Sequence, residues 1–598
     1  MQTTTHSPVS VGHEIPEIPY SSLSHRSHQV FPELNENELR SLARFGEPSS
    51  SPSGSMLFET GKIARGMFVI VSGRVQVYSR DVLGGVAASA EYGVGQFIAE
   101  MAQLAARPSL VSGLALTDVN ALLVTPERLR ALIVADAELG ERIMRALILR
   151  RLGLIEQGLG PILVGFAHEK KLVSLQGFLR RNAYPCTVMD CSTDFEALTL
   201  LKDVSTKPDD FPLVFCRDGS LLKAPDEGML ASHLGLVPSF DTSFTYDVAI
   251  VGAGPAGLAA AVYAATEGLS VVVFDLRAPG GQAGASARIE NYLGFPTGIS
   301  GYALAARALQ QALKFGVRLA IPVAVRHVMR DGNRFLLTLG DNRRVNARTV
   351  VIASGAAYRR PEVLDLARFE GRGVYYWVSP IEAKLMKGQP IVLVGGGNSA
   401  GQAVVYLARH AKRIRLLIRG SSLKTSMSRY LTDRIAALPN VELCYGCKLT
   451  ALEGDEAGLT TVTVRKGHRN EEEKIETRHL LLFIGADPAT AWLAQSGVVL
   501  DDKSFVPTGR LVNAAHGHET NLAGIFAIGD VRSGSAKRVA GAVGDGAAVV
   551  SEIHDHLLQA SRFDLHHHDW RGSEEAELRF AWGQGRHEIA PQRAPEQD

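Results

Sequence analysis

The sequence predicts a multidomain α/β protein: an N-terminal β-roll followed by helices, a small α/β domain, and then two larger α/β domains. Three observations predict it. Two strand–glycine–helix passages stand in the C-terminal half, Val251-Gly252-Ala253-Gly254-Pro255-Ala256-Gly257 and Val394-Gly395-Gly396-Gly397-Asn398-Ser399-Ala400. Between Pro161 and Leu236 short apolar runs alternate with helical periodicity, in the order βαβα. From Val30 to Gly160 a glycine-punctuated β region gives way to apolar residues at helical spacing. A length of 598 residues is compatible with about four domains.

Composition narrows the functional classes. Hydrophobic residues make up 46% and charged residues 21%, and 63 Lys plus Arg stand against 62 Asp plus Glu, so no charge excess points to nucleic acid or a membrane surface as partner. No apolar run approaches the roughly 20 residues that span a bilayer. Residues 1–29, rich in Ser, Thr, Pro and His, lack the basic start and apolar core of a secretory signal and read as a disordered head. Five cysteines, an odd count, argue against a disulfide scaffold and for a reducing, cytoplasmic setting. No metal site is expected. His566, His567 and His568 fall in a charged tail, 561–598, that reads as disordered.

In residues 30–160, Phe68 to Tyr78 reads as two short strands around a turn at Ser72-Gly73, and Leu129 to Leu154 as helical. The stretch Gly95-Gln96-Phe97-Ile98-Ala99-Glu100-Met101-Ala102, running on to Arg107-Pro108-Ser109, resembles the phosphate cassette of the cyclic nucleotide-binding domain. Glu100 stands where that family places its ribose-binding acid. Ala99 replaces a glycine, and Ser109 takes the position of the phosphate-binding arginine, with Arg107 displaced by two residues. A phosphate without a bidentate cation loses much of its binding energy. A fold kept without its ligand and a working cyclic-nucleotide sensor both stay open.

Residues 161–240 resemble the thioredoxin or glutaredoxin fold. Ile162 to Gly165 and Cys186 to Asp190 read as strands, Asp194 to Lys202 as a helix, and Phe211-Pro212 precedes another strand, with Pro212 where the family holds a cis proline. Phe166-Ala167-His168-Glu169 occupies the place of the family's two cysteines, so the resemblance implies no dithiol chemistry here. Cys191, at the expected start of a helix, has two readings: a thiol with pKa lowered by the helix dipole, or an inert small residue.

The two glycine passages read as Rossmann-like. A strand feeding a glycine turn and a helix N-terminus points backbone N–H groups and a positive dipole end at a pyrophosphate. In the first, Gly252, Gly254, Pro255, Ala256 and Gly257 form the turn, and Asp275 ends the next apolar run, near the offset at which an acid accepts hydrogen bonds from a ribose. In the second, Gly395, Gly397, Asn398, Ser399 and Ala400 form the turn, and the following strand ends in Arg419. A guanidinium there favours the phosphate of NADPH, where an acid would favour NADH. Two dinucleotides on one chain imply electron transfer.

From Phe244 to about His556 the chain resembles thioredoxin reductase of the low-molecular-weight bacterial type. Gly280-Gly281-Gln282, Ile289-Glu290-Asn291-Tyr292, Ala353-Ser354-Gly355-Ala356, Gly524 to Asp530 and Lys537-Arg538-Val539-Ala540 carry the likeness. It implies FAD in the first site, held additionally by Gly281, Gln282, Asn291, Asp530, Arg538, Val539 and Ala540, with NADPH in the second. It also implies a split FAD domain, 244–365 and 489–560, an NAD(P)H domain inserted at 366–488, and a homodimer. A helix from Gly544 or Gly546 would turn its N-terminus to the flavin.

Such reductases carry a CxxC early in the NADPH domain, where this chain has Trp377-Val378-Ser379-Pro380. The one CxxC present, Cys444-Tyr445-Gly446-Cys447, sits in a strand-like stretch, where bridging needs a bend at Gly446, and a structural role is expected. The reading is an FAD-dependent NAD(P)H oxidoreductase that passes hydride from NADPH to FAD and electrons to an external small-molecule or redox-protein acceptor. No catalytic side chain is assigned. A thioredoxin-disulfide reductase and a cyclic-nucleotide-regulated signalling protein are the alternatives.

Overall fold

The computed structural model describes residues 26–568, apart from 81–85, 100, 106, 158, 167–168, 203, 239–242 and 468–470. Two four-stranded sheets build the N-terminal roll. One orders Glu47–Ser51, Val119–Val124, Met67–Ser72 and Phe97–Ile98; the other orders Met56–Phe58, Ser112–Ala115, Val75–Arg80 and Val86–Tyr92. The two strands expected around Ser72-Gly73 are present but belong to different sheets, so the turn passes the chain between layers. Helix begins before Val30: Ser27–Val30 starts inside the expected head, and Val30 is buried.

The helical stretch is broken at Asp136 into Pro126–Ala135 and Ala137–Glu156, with the Asp136 carboxylate accepting from Leu139 N at 3.1 Å as an N-cap. Arg150 of the second helix is 4% exposed. Its guanidinium donates to the carbonyls of Val30 (2.8 Å), Phe97 (3.0 Å) and Ala99 (3.3 Å) and lies 4.7 Å from the Phe97 ring centroid. One buried cation thus ties the entry helix and the cassette backbone to the helical half.

The second unit has the strand order Thr187–Asp190, Ile162–Gly165, Leu213–Phe215, Leu221–Lys223, the first pair parallel and the rest antiparallel. The Phe211–Pro212 peptide is cis. Cys191 lies in the turn after Asp190, four residues ahead of the helix Phe195–Leu201. Burial and the neighbouring Asp190 carboxylate raise its thiol pKa, and burial pushes Cys186 up to about 11, so the dipole-activated reading of Cys191 is corrected.

The largest sheet runs Arg318–Ala320, Val271–Phe274, Thr245–Val251 and Arg344–Ile352 in parallel, then Arg334–Leu339 and Val325–Asp331 antiparallel; Ile525–Ala527 pairs in parallel with Arg344–Ile352. That last strand comes from beyond the insertion. Between them lies a parallel sheet ordered Val374–Tyr375, Leu480–Leu482, Pro390–Val394, Arg413–Ile418, Val441–Tyr445, with a three-stranded antiparallel sheet over 447–476. The chain leaves and returns through a ribbon in which Ala356–Tyr358 pairs with Ala486–Pro488. The last helix, Val539–His568, starts five residues before Gly544 and runs eight residues into the stretch expected as tail; 569–598 lie outside the described residues. Among the described residues no helix is long and apolar enough to cross a membrane.

The domains are clasped at one loop. Arg107 donates to Asn182 O (3.4 Å) and to Ile321 O (3.5 Å), joining all three units, and burial lowers its pKa to about 10. Asn182 donates to Arg277 O (3.0 Å), Arg181 to Gly281 O (2.9 Å), and Arg277 makes a bidentate pair with Glu227 at 2.9 and 2.7 Å.

Arg150→Ala leaves three carbonyls without their donor and is expected to destabilise the N-terminal domain by roughly 3 kcal/mol, read by denaturant unfolding of the full chain. Burial alone would lower the pKa of His518, but Asp545 and Glu552 beside it outweigh burial and raise it to about 9. The contact to Glu552 is 2.8 Å. Because the folded pKa exceeds the ordinary imidazole value of 6.5, this stabilisation is complete below pH 6.5 and drains away as pH rises through 9. We expect unfolding midpoints to fall over that window by the equivalent of about 2 kcal/mol, and His518→Gln to flatten the slope.

Candidate functional site

A cavity of about 330 Å³ lies where the first glycine turn, the closing segment near residue 530 and the helix after the second glycine turn converge. Gly252 has φ +115°, and a Cβ there would sit 2.1 Å from Ala353 O; a Cβ on Gly257 would sit 1.9 Å from Gly252 O. Only glycine lets the helix Pro255–Thr266 seat against the turn. Gly252, Gly254, Pro255 and Ala256 line the cavity, while Gly257 lies behind them as a packing contact.

Asp275 also lines it. One carboxylate oxygen accepts from Ala253 N at 2.9 Å, and the other from Arg277 N and Ala278 N at 2.9 and 3.1 Å. The acid therefore fixes the glycine turn and the following loop together. Gly281, Gln282 and Asn291 reach the wall, with Gln282 donating to Ala356 O at 2.6 Å. From the closing motif come Asp530, Arg538 and Val539; Ala540, one residue further into the last helix, is not part of the lining. Burial raises the Asp530 pKa, with Lys537 acting the other way. The helix end facing this cavity is at Val539, which corrects the expectation of a start at Gly544 or Gly546.

Asn398 and Ser399 line the opposite side. Gly395, Gly397 and Ala400 are not part of the lining; Ala400 is fully buried, and a Cβ on Gly397 would meet nothing within 4 Å, so the backbone there stays open to a ligand. Arg419 is exposed just after the strand Arg413–Ile418, outside the cavity. Two residues missed in the sequence brace this turn: Ser426 donates to Gly396 O at 2.8 Å, and Ser428 N donates to the Asn398 side chain at 2.7 Å. Nothing local in the sequence marks them. Gln402 and Tyr406 were missed with less excuse, since they follow Asn398 at four-residue steps on one helix face and both line the cavity.

At the position of the expected dithiol, Trp377 lines the cavity. Its indole N–H donates to the buried Glu382 at 3.0 Å, and Ser379 N donates to the same carboxylate at 2.8 Å. The Tyr358 ring is 6.1 Å away and the Arg277 guanidinium 6.0 Å. Burial pushes Tyr358 up to about 12, so its phenol stays protonated at neutral pH.

Cys444 and Cys447 are joined in a disulfide, with Cα atoms 6.1 Å apart. The required bend is at Gly446, φ +66°, between the strands Val441–Tyr445 and Cys447–Asp455. The pair packs among Val392, Leu417 and Leu449, 7% and 2% exposed, and neither cysteine reaches the cavity. This one disulfide lies off the dinucleotide site.

In the N-terminal cassette Glu100 lies outside the described residues. Arg107 is committed to the domain junction, and Ser109, 2% exposed, donates to Val111 O at 2.8 Å.

Residues 246–546 match the family model described as pyridine nucleotide-disulphide oxidoreductase, and residues 49–136 match the cyclic nucleotide-binding domain. A thioredoxin reductase of Mycoplasmopsis pulmonis is 32% identical over 302 residues, 50% of this chain and 94% of that protein. One of Bacillus subtilis is 30% identical over 312 residues, 52% of this chain and 95% of that protein. The crystal structure of Lactococcus lactis thioredoxin reductase superposes with a TM-score of 0.49 at 26% identity, covering 53% of this chain and all of that one. With a family model spanning half its length and curated relatives covered almost end to end, this chain belongs to the pyridine nucleotide-disulphide oxidoreductase family, an enzyme family, here joined to an N-terminal cyclic nucleotide-binding domain.

Proposed function

We propose that the chain is an FAD-dependent NADPH oxidoreductase whose electrons leave for an acceptor other than its own cysteines. The observation that carries this is a single cavity lined from one side by Gly252, Asp275 and Asp530 and from the other by Asn398 and Ser399, with Trp377 where a dithiol would stand. The backbone at Gly254 on the cavity wall, the Asp275 carboxylate beside the turn and the half-buried Asp530 suit the pyrophosphate, ribose and polyol chain of FAD. The turn from Gly395 to Ala400 suits a second pyrophosphate, with Arg419 for the adenosine phosphate of NADPH. Bound flavin supplies a ring that accepts hydride. The protein's part is to hold the two rings in reach, to keep Tyr358 protonated, and to place no thiol between them.

The N-terminal roll, 30–160, and the unit at 161–240 then serve as braces on the flavin-side loop. Arg107 and the Arg277–Glu227 pair support this assignment.

Mixing the holoprotein with NADPH without oxygen should bleach the flavin absorbance; a colourless protein, or one that stays yellow, sinks the reading. Arg419→Ala is expected to weaken NADPH binding about tenfold while leaving NADH unchanged, the size of one lost charge-assisted contact, measured by titration of flavin fluorescence. In the Cys444→Ser/Cys447→Ser double variant the anaerobic bleaching rate and any NADPH-driven disulfide reduction should match the parent. Loss of disulfide reduction in that variant would instead assign the chain to the thioredoxin-disulfide reductases.

A further inference from the structure

Two further cavities adjoin the dinucleotide cavity. Ala287, Arg288, Gln402 and Tyr406 are shared between it and one or both of two neighbouring cavities, one of about 410 Å³, which continue along the helix Asn398–Leu407 toward its C-terminal end. The walls come from the 287–300 segment on one side and from this helix on the other. At 1.5 Å per residue the helix carries Leu407 about 13 Å from Asn398, and Arg409 follows two residues later, at the end remote from the turn that would hold a pyrophosphate. The cleft thus lies at the opposite end of this helix from the turn Gly395 to Ala400.

Its charge is one-sided. Arg288, Arg409, His410 and Arg434 line the two outer cavities, and the one acid among their described lining residues is Glu290. Glu290 is already engaged, to Arg434 at 2.6 Å and to Arg288 at 3.4 Å. Arg409 is exposed, with no ion-pair partner among the described residues. Three guanidinium groups against one carboxylate, in a cleft with low-dielectric walls, focus a positive potential toward the cavity.

We propose that this cleft is the entrance of the electron acceptor and that it selects acceptors carrying negative charge. The inference rests on the flavin reading above and adds the acceptor's class and route. Bound flavin would take up hydride, two electrons and a proton, from NADPH, and two one-electron acceptors would then take the electrons as the proton is released. With ferricyanide as probe, NADPH and two ferricyanide ions give NADP+, one proton and two ferrocyanide ions.

The test compares ferricyanide, an anion, with hexaammineruthenium(III), a cation, as acceptors for the full-length holoprotein, its Arg409→Gln and its Arg409→Glu variants. We expect kcat/KM for ferricyanide to fall in the order parent, Gln, Glu, by about fivefold overall at low salt, and kcat/KM for the ruthenium cation to rise in the same order. Added salt should shrink both effects. Both probes moving in the same direction, or neither moving, overturns the cleft as an anion-selective entrance. Anaerobic bleaching by NADPH, followed in the same variants, should stay at the parental rate; its loss in the parent itself would overturn the flavin reading, a result distinct from failure of the cleft.

Discussion

The carboxylate of Asp275 is the contact on which the rest of the site depends. By accepting from Ala253 N on one side and from Arg277 N and Ala278 N on the other, it makes the first glycine turn and the loop to Gly281 one rigid body. Everything that defines the cavity is referenced to that body. Arg277 reaches from it toward Trp377, Gly281 forms the wall, and Arg181, Asn182 and Glu227 of the preceding domain hold its outer face. A carboxylate held by three backbone N–H groups is fixed in place before any ligand arrives.

Trp377 closes the cavity at the position where the family resemblance places a dithiol. An indole anchored by Glu382 fills the wall with a flat apolar surface and offers no sulfur. The sulfur pair that the chain does possess is closed over Gly446 and packed among aliphatic side chains of the inserted domain. The bond links the two strands that meet at the Gly446 turn.

Much of the cavity was legible because its signals are local. Gly252, Gly254 and Asp275 are recognisable from a strand, a turn and an offset, since backbone approach and ribose binding each demand particular residues at particular spacings. The proline at 212 was legible for a similar reason, and the peptide before it is cis. What stayed hidden is held by partners distant in sequence. Arg107 could not be assigned to a domain junction, because Ile321 is 214 residues away and no periodicity connects them. Ser426 and Ser428 brace a turn 30 residues earlier from a loop with no pattern of its own. The last helix begins at Val539 and not at a glycine, and in the loop before it Lys537 hydrogen-bonds the Asp530 carbonyl.

The clasp formed by Arg181, Asn182 and Glu227 has a consequence for modularity. A fragment beginning near Phe244 would retain every glycine of both turns yet strip the Gly281 carbonyl of its donor and leave the Arg277 guanidinium without its carboxylate. A different front end placed before this half would have to resupply those partners to hold the loop in the same way.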